Sequence, residues 1–337
     1  MKTPKKHTLF HNEQKYNYVQ FDSVHAFNGF VDHQAKELSD HHQKIWNFQK
    51  DNASHIIEKQ KDWFGTPIPK SITELESHTS FMGMKLLKEV QPKIKDKLSA
   101  YLEHLEQSEL PKPKMAYNDR GLGVFSFDRA AMGMFKIHTV NRSTPIQENI
   151  SKLNVELGRK QIQTSVKSVY AFFEHKNSSY PSLQLYIMAG ANANVKGNNI
   201  LFVGLACAEL VSFMEQRGIS VEVNVLLGSH FRGQNVLSQI RVKRFQDTLD
   251  TNQLLLISSD PRYFRYRGFK ALIAMANYFG YKIPQNLGSL SKSMGNNFVE
   301  AINEKGFVFE QSYAMDKAVR EVLSIITNYK NRLHGEK

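Results

Sequence analysis

The stretch from residue 183 to residue 225 restricts the fold more than any other part of the sequence. An apolar strand pattern, Leu183–Met188, is followed by a helical pattern from about Asn199 to Arg217 and then by an alternating, β-branched segment, Ile219–Val225. Gly218 stands where the helix ends, and glycine tolerates the left-handed backbone that commonly terminates helices. Strand, crossover helix and strand in this order predict a βαβ unit and therefore a parallel sheet.

Later segments extend this pattern. They comprise strand patterns at Gln239–Phe245 and Gly306–Phe309, and helical patterns at Asn252–Ser258, at Arg262–Tyr278 with a bend at Gly268, and at 314–329. Together they predict an α/β domain from about residue 165 to 330, with helices on both faces of its sheet.

The preceding sequence divides into two regions. Residues 1–110 are predicted to be mainly helical, and Ser71 followed by Glu74 has the spacing of a helix capping box. Residues 111–164 begin with two prolines in a stiff connector, and short strand patterns and a polar stretch follow them. We therefore expect a β-containing connection and loop between the helical region and the sheet domain.

Composition limits the class of protein. The chain has 337 residues, of which 41% are hydrophobic and 11% aromatic, so it can bury a packed core. The apolar stretches are too short to span a bilayer, and the basic N-terminus leads into polar sequence. We therefore expect a cytoplasmic protein with no membrane partner. The single cysteine, Cys207, lies in an apolar helical pattern and is predicted to belong to the core.

The segment from Pro181 to Gly228 resembles the opening of a von Willebrand factor A-type domain, particularly its cobalt-chelatase-like branch. It shares an apolar strand, a loop of small polar residues, a helix rich in small residues and a Gly-Ile-Ser-Val-Glu-Val entry to the next strand. The resemblance implies a parallel-sheet von Willebrand A/Rossmann-like domain preceded by a mainly helical N-terminal region.

The layout of residues 60–330 is also similar to uncharacterised proteins encoded by bacteriophages. Their common features are a Trp-Gly element, here Trp63 to Gly65, and a stretch like Val242–Arg244 that leads to one like Asp260–Arg265. This resemblance implies a phage-encoded protein in the bacterial cytoplasm or in the virion.

The loop that would hold the metal of an A-type domain is altered. Intact domains carry Asp-x-Ser-x-Ser after the first strand, whereas this chain has Ala-Gly-Ala-Asn-Ala-Asn at 189–194. Asn192 and Asn194 offer only neutral carbonyl oxygens, and hard divalent cations usually need charged oxygen ligands. We expect a degenerate ligand loop with no metal and no cofactor.

Other catalytic patterns are incomplete. The 189–197 loop lacks the Gly-Lys-Ser/Thr of a phosphate-binding loop, and the segment around Ser289 and Ser291 lacks the second glycine of a nucleophile elbow. His33, His41 and His42 lie on helical sequence without a metal-ligand motif. The sequence therefore predicts no catalytic residue.

A basic-aromatic stretch is the best candidate for a binding surface. The formal net charge is +12, from 44 basic and 32 acidic residues, and arginines interleaved with aromatic residues suit phosphate contacts and base stacking. The candidate nucleic-acid-binding residues are Arg241, Lys243, Arg244, Arg262, Tyr263, Arg265, Tyr266, Arg267 and Lys270.

The same stretch has a structural interpretation. In it the apolar side of the helix faces the core and the arginines are solvated or paired with acids. The core-facing residues are then Phe264, Gly268, Leu272 and Met275, and the pairing acids Asp247, Asp250 and Asp260.

These observations predict a non-enzymatic binding or assembly protein whose partner is another protein. The first alternative is a nucleic-acid-binding protein that uses the Arg241–Lys270 stretch. The second is an enzyme with an unrecognised active site.

Overall fold

The structure is a computed structural model that describes residues 4–77, 84–106, 114–118, 124–126, 152–157, 160–165, 170–174, 182–191, 195, 197–284, 287–303 and 305–333. Contacts divide the chain into two compact units. One is formed by residues 1–110 together with 181–337, and the other by residues 111–180. The first unit contains the large sheet and every site discussed below.

The described residues form strands and helices in both units. The strands are β1 (His7–His11), β2 (Gln14–Phe21), β3 (Lys114–Asn118), β4 (Val124–Phe125), β5 (Lys152–Leu157), β6 (Lys160–Ser165), β7 (Tyr170–Glu174), β8 (Ser182–Ala189), β9 (Ser220–Phe231), β10 (Gln234–Lys243) and β11 (Phe307–Phe309). The helices are α1 (Val24–Gln34), α2 (Asp40–Glu58), α3 (Ile72–Glu76), α4 (Met84–Glu106), α5 (Asn198–Glu215), α6 (Thr251–Ser259), α7 (Pro261–Tyr263), α8 (Phe269–Phe279), α9 (Met294–Ile302) and α10 (Met315–Leu333), with a π-helical turn (Phe264–Gly268) between α7 and α8.

Six strands form one mixed sheet in the order β1-β2-β10-β9-β8-β11. Strand β8 pairs in parallel with both β9 and β11, and β2 pairs in parallel with β10. The β1–β2 and β9–β10 pairings are antiparallel. Since three of the five pairings are parallel, the α/β class and the mostly parallel sheet that the sequence predicts are confirmed.

The predicted βαβ unit is β8–α5–β9. Helix α5 spans Asn198–Glu215, close to the expected bounds, and Gly218 follows it with φ +73°. Alternate residues of β8 point to opposite faces of the sheet. Leu185 and Ile187 belong to the larger apolar cluster, whereas Tyr186 and Met188 belong to a second cluster that includes residues of α9. Both faces of this strand are therefore buried.

The sheet also takes two strands from the N-terminus, which the sequence did not indicate. Strand β2 pairs with β10 from Lys15↔Gln234 to Phe21↔Ile240, and β1 folds back on β2 through a turn at Asn12 and Glu13. The mainly helical region expected at 1–110 therefore contains two strands besides α1–α4 and lies in the same compact unit as the sheet. Strand β2 joins the sheet because this pairing buries its apolar side chains, and Tyr16 and Val19 are completely buried.

Local signals of the sequence match the structure at several element ends. The Ser71 hydroxyl accepts a hydrogen bond from Glu74 N at 3.1 Å, as the capping box predicts. The predicted Arg262–Tyr278 helix is present as α7, the π-helical turn and α8, and the irregularity ends at Gly268. The expected bend is thus an inserted π-helical turn.

The second unit contains the remaining strands. Strand β7 pairs with β3 and β4 in antiparallel fashion, and β5 pairs with β6. Its bounds differ from the β-containing connection expected at 111–164, because β7 also belongs to it.

Within the described ranges, no helix is long and apolar enough to cross a lipid bilayer.

Candidate ligand-binding cleft at the carboxyl edge of the sheet

The nine basic and aromatic residues predicted to bind nucleic acid do not form an exposed surface. Six of them are buried, namely Lys243, Arg262, Tyr263, Arg265, Tyr266 and Lys270. Arg241 and Arg267 are partly buried, and Arg244 is exposed. The expectation of an accessible basic-aromatic face is therefore wrong for most of this set, since nucleic acid cannot stack on rings or contact cations that are buried in the protein.

Acids of the N-terminal region neutralise three of these cations. Arg262 lies 3.4 Å from Glu74, Arg267 contacts Asp32, and Lys270 Nζ lies 3.4 Å from Glu76 Oε1. The hydroxyl of Tyr266 donates to Glu76 Oε1 at 2.9 Å. Phe264, Leu272 and Met275 are buried, as the structural interpretation expects. The acids that pair with Arg262, Arg267 and Lys270 are different from the three aspartates that it names.

Arg265 is held by backbone oxygens. Its guanidinium donates to Ala191 O at 3.1 Å and to Val195 O at 2.7 Å, and it lies 4.8 Å from the ring centroid of Phe64. Burial lowers the pKa of Arg265 to about 10. This arginine thus fixes the loop that follows β8.

The basic residues at the end of β10 are also anchored. Lys243 Nζ lies 2.6 Å from Glu215 Oε1 and donates to Val221 O at 2.7 Å. Arg241 donates to Asp22 Oδ1 at 3.0 Å. These contacts connect β10 to its neighbours instead of leaving the cations for a partner.

The loop predicted to be a degenerate metal site is followed by an amide that the protein itself binds. Asn192 and Asn194 lie outside the described residues, but both ends of their loop are defined. At its end Gly197 N donates to Phe64 O at 2.7 Å, immediately before α5 begins. The carbonyl of Phe64 therefore binds one amide at the helix N-terminus, the kind of position where free amides can bind phosphate.

A cleft of about 370 Å³ lies beside this loop, at the edge of the sheet where β8, β9 and β11 end. Parallel α/β sheets commonly bind ligands outside the carboxyl ends of their strands. The lining residues are Ser289, Leu290, Ser291, Lys292, Ser293, Glu310, Gln311 and Tyr313. Tyr313 connects the cleft to the loop after β8, because its hydroxyl donates to Gly190 O at 2.9 Å.

Glu310 follows β11 directly and contributes the carboxyl group of the cleft. Its Oε1 accepts hydrogen bonds from Asn296 N at 2.6 Å and Asn296 Nδ2 at 3.0 Å, at the start of α9. Burial raises the pKa of Glu310, the hydrogen bond from the Asn296 backbone lowers it, and the nearby charge of Glu321 raises it further, with a net upward shift. The carboxyl group is therefore more readily protonated than an exposed glutamate.

Gln311 contributes an amide with unused hydrogen-bonding capacity. In the chain that the structure describes, both Nε2 and Oε1 of this residue are buried without a hydrogen-bond partner. Such a group costs about 1–3 kcal/mol compared with a satisfied one. Gln311 is also one of the residues that line the cleft.

A polar network supports the floor of the cleft. The Ser291 hydroxyl donates to Asn235 Oδ1 at 3.2 Å, and Asn235 Nδ2 donates to Gln14 Oε1 at 3.0 Å. His230 Nδ1 lies 2.9 Å from Asn235 Oδ1, so this nitrogen must carry the proton and donate. Tyr16 donates to Gln14 Oε1 at 2.7 Å. These contacts fix the 287–293 loop against β2, β9 and β10.

Potential metal ligands and the single cysteine are further candidates for reactive groups within the described parts of the first unit. No group of three or more His, Cys, Asp or Glu side chains there has the spacing of a metal site. Cys207 is buried in α5, and burial raises the pKa of its thiol, which disfavours the reactive thiolate. Its predicted place in the core is confirmed.

The sequence analysis did not select Glu310, Gln311 or the network beneath them. These residues come from segments separated by more than 290 positions, from Gln14 to Glu310. One feature of the sequence pointed to this site. Glu310 directly follows a strand pattern, and parallel sheets commonly bind ligands at the carboxyl ends of their strands.

One family model matches the part of the chain that contains the cleft. Residues 168–335 match the family model of DUF7192, a domain of unknown function. The DUF7192 match includes β8–β11 and all residues that line the cleft, and it excludes β1, β2 and the Trp63–Gly65 element. No match was found among curated proteins or among solved structures.

Proposed function

We propose that this protein is a non-enzymatic binding protein and that the cleft at the carboxyl edge of its sheet receives a peptide segment of a partner protein. The observation that carries the proposal is the Gln311 amide, which lines the cleft and has a donor and an acceptor without partners in the described structure. A peptide group offers the complementary acceptor and donor side by side, so it satisfies both.

The cleft contains one acid, Glu310, and one base, Lys292, and the position of Glu310 favours a peptide with a basic side chain. Glu310 is a half-buried carboxylate, and none of the described cations lies within ion-pair distance of it. A lysine or arginine side chain of the partner would supply the missing positive charge in a site that is partly shielded from water. The three serines at 289–293 add hydroxyl groups around it.

Binding is favoured over catalysis by the arrangement of the hydroxyl groups. Ser291 directs its proton to an amide oxygen of Asn235, and Tyr313 directs its proton to the carbonyl of Gly190. Neither hydroxyl is paired with a base that would activate it as a nucleophile.

We also propose that the region from about residue 165 to 330 is a degenerate von Willebrand A-like domain. The succession of β8, a loop of small residues, α5 and the parallel strand β9 supports this relationship. The phage origin and a location in the bacterial cytoplasm or virion stay predictions.

A random-peptide display library tests the proposed binding activity. Peptides selected on the full-length protein are expected to be rich in lysine and arginine. Their affinity, measured by fluorescence polarisation, should fall at least about tenfold for Gln311→Leu, because the amide loses both hydrogen bonds. Glu310→Gln should weaken the basic peptides selectively.

Gln216→Leu is the matched control, since it makes the same change at the far end of α5 and should leave affinity unchanged. Failure to select any peptide, or equal binding by Gln311→Leu and wild type, would show that the cleft is not the binding site.

A further inference from the structure

A second, smaller cavity lies where α2 packs against the Trp63–Thr66 turn and the π-helical turn. Its volume is about 150 Å³, comparable to a cavity that holds a single benzene-sized ring. Gln49 and Asn52 of α2 lie at its rim, and Asn52 is exposed, so the cavity is open to entry. It shares no lining residue with the cleft described above.

Four of the nine residues that line the cavity are aromatic. Trp63, Phe64, Tyr266 and Phe269 all line the cavity. The Trp63 and Phe64 rings meet edge to face with centroids 5.8 Å apart. Tyr266 is held by its hydrogen bond to Glu76 and by Lys270 Nζ, which donates to its hydroxyl at 2.8 Å. The wall is therefore organised before any ligand enters, which reduces the entropic cost of binding.

Arg265 gives the cavity its electrostatic character. The residue is 3% exposed and two backbone carbonyls bind its guanidinium, so its positive charge is held beside the cavity. A cationic ligand would be repelled at this position, whereas a neutral or anionic ligand would not.

Two local features of the backbone mark the same place. Phe64 has φ +51°, an uncommon conformation for a bulky residue, and the residues behind it form a π-helical turn. Both features cost conformational energy and are frequent at ligand sites. In addition, the indole Nε1 of Trp63 is buried and lacks an acceptor in the described structure, and Trp63 lines the cavity.

We propose that this cavity binds a planar, one-ring aromatic group that is neutral or negatively charged and carries a hydrogen-bond acceptor. The rings supply stacking surfaces, Arg265 selects against positive charge, and Trp63 supplies the donor. This inference is independent of the proposed peptide-binding function.

Tryptophan fluorescence provides a direct test. The chain has two tryptophans, so Trp46→Phe leaves Trp63 as the reporter. Benzoate, benzamide and benzylammonium are titrated as probes with the same ring and different charge. Benzoate and benzamide are expected to change the emission of Trp63 saturably and to bind at least about tenfold more tightly than benzylammonium.

Ala53 provides a matched pair of variants, because it lines the cavity and is 2% exposed. Ala53→Leu should fill the cavity and weaken benzoate binding at least about tenfold, whereas Ala53→Ser leaves room and should change it less than about twofold. Far-UV circular dichroism checks that each variant folds.

If Ala53→Leu does not fold, intermolecular nuclear Overhauser effects between benzoate and the Trp63 indole decide the question. Their presence supports the proposal. Their absence, the lack of saturable binding by both benzoate and benzamide, or equally tight binding of benzylammonium would each overturn it.

Discussion

At the scale of single residues, buried charge is accommodated by specific partners. The side chain of Lys243 is completely buried, and its ammonium group contacts Glu215, Val221 O and Arg244 O. An ammonium group has three N–H donors, so this arrangement satisfies all of them. The residue therefore connects the end of β10 to the start of β9 and to the end of α5.

Replacing Lys243 by methionine should lower the free energy of unfolding by about 2–4 kcal/mol. The change leaves Glu215 without its cation and Val221 O without a donor, although Glu215 is partly solvated. Urea denaturation at pH 7 measures the effect. Lys282→Met, at an exposed position, should stay within about 0.5 kcal/mol of wild type. Equal stability of the two variants would contradict this role of Lys243.

Glu310 and Glu321 should make stability depend on pH in an unusual direction. Burial raises the pKa of each carboxyl group in the folded protein. A raised folded-state pKa favours folding below the ordinary glutamate pKa of about 4.3, and this contribution is lost as the pH rises through the folded-state value.

We therefore expect wild type to gain stability relative to Glu310→Gln/Glu321→Gln as the pH falls from 7 toward about 4.3. The double variant cannot bind these two protons and serves as the reference. Urea titrations at several pH values measure the difference between the two proteins. A difference that is constant with pH, or that changes in the opposite direction, would contradict the inferred pKa shifts.

At the scale of elements, the contact between the Trp63–Thr66 turn and α5 depends on Gly197. Gly197 has φ +37°, and a Cβ atom there would lie 2.5 Å from the carbonyl oxygen of Gly65. Its amide also donates to Phe64 O. Only glycine permits both the backbone conformation and this close approach.

Gly197→Ala should therefore destabilise the protein by about 2–4 kcal/mol, through backbone strain and the clash together. Gly233→Ala is the matched control, because Gly233 also has positive φ, +82°, but its Cβ would meet no atom within 4 Å. That variant should cost only about 1–2 kcal/mol, the strain alone. Thermal and urea unfolding compare the two, and equal losses would mean that the contact with Gly65 is unimportant.

At the scale of the whole molecule, the sheet is assembled from distant parts of the chain. Strand β2 covers β10 along Gln234–Ile240, and Phe27 and Phe30 of α1 belong to the same apolar cluster as Val225 of β9. The region that matches DUF7192 begins at residue 168 and lacks these elements. Taken alone, it would leave β10 as an unpaired edge with exposed apolar surface.

A fragment of residues 168–335 is therefore expected to aggregate or to lack a cooperative unfolding transition. Full-length protein with residues 111–180 replaced by a flexible linker should keep a cooperative transition, because the other unit has its own core. Circular dichroism melts and gel filtration distinguish these outcomes. A stable, monomeric 168–335 fragment would show that the N-terminal strands are dispensable.

The sequence by itself determined the elements whose signal is local. The β8–α5–β9 unit, the Ser71 cap, the α10 helix and the irregularity ending at Gly268 all follow from periodicity or from the chemistry of neighbouring residues. Burial of Cys207 followed from the apolar pattern around it. These features need no information about distant parts of the chain.

Only the tertiary structure decided which residues meet. The arginines at 262–267 looked accessible because their acidic partners, such as Glu74 and Asp32, lie about two hundred positions earlier, by the numbering of the chain. The sequence of β2 showed little alternation of apolar and polar residues. Its place in the sheet became clear only from its pairing with β10. The cleft likewise exists because separate strands end at one edge. Contacts between distant segments depend on packing, which local sequence patterns do not encode.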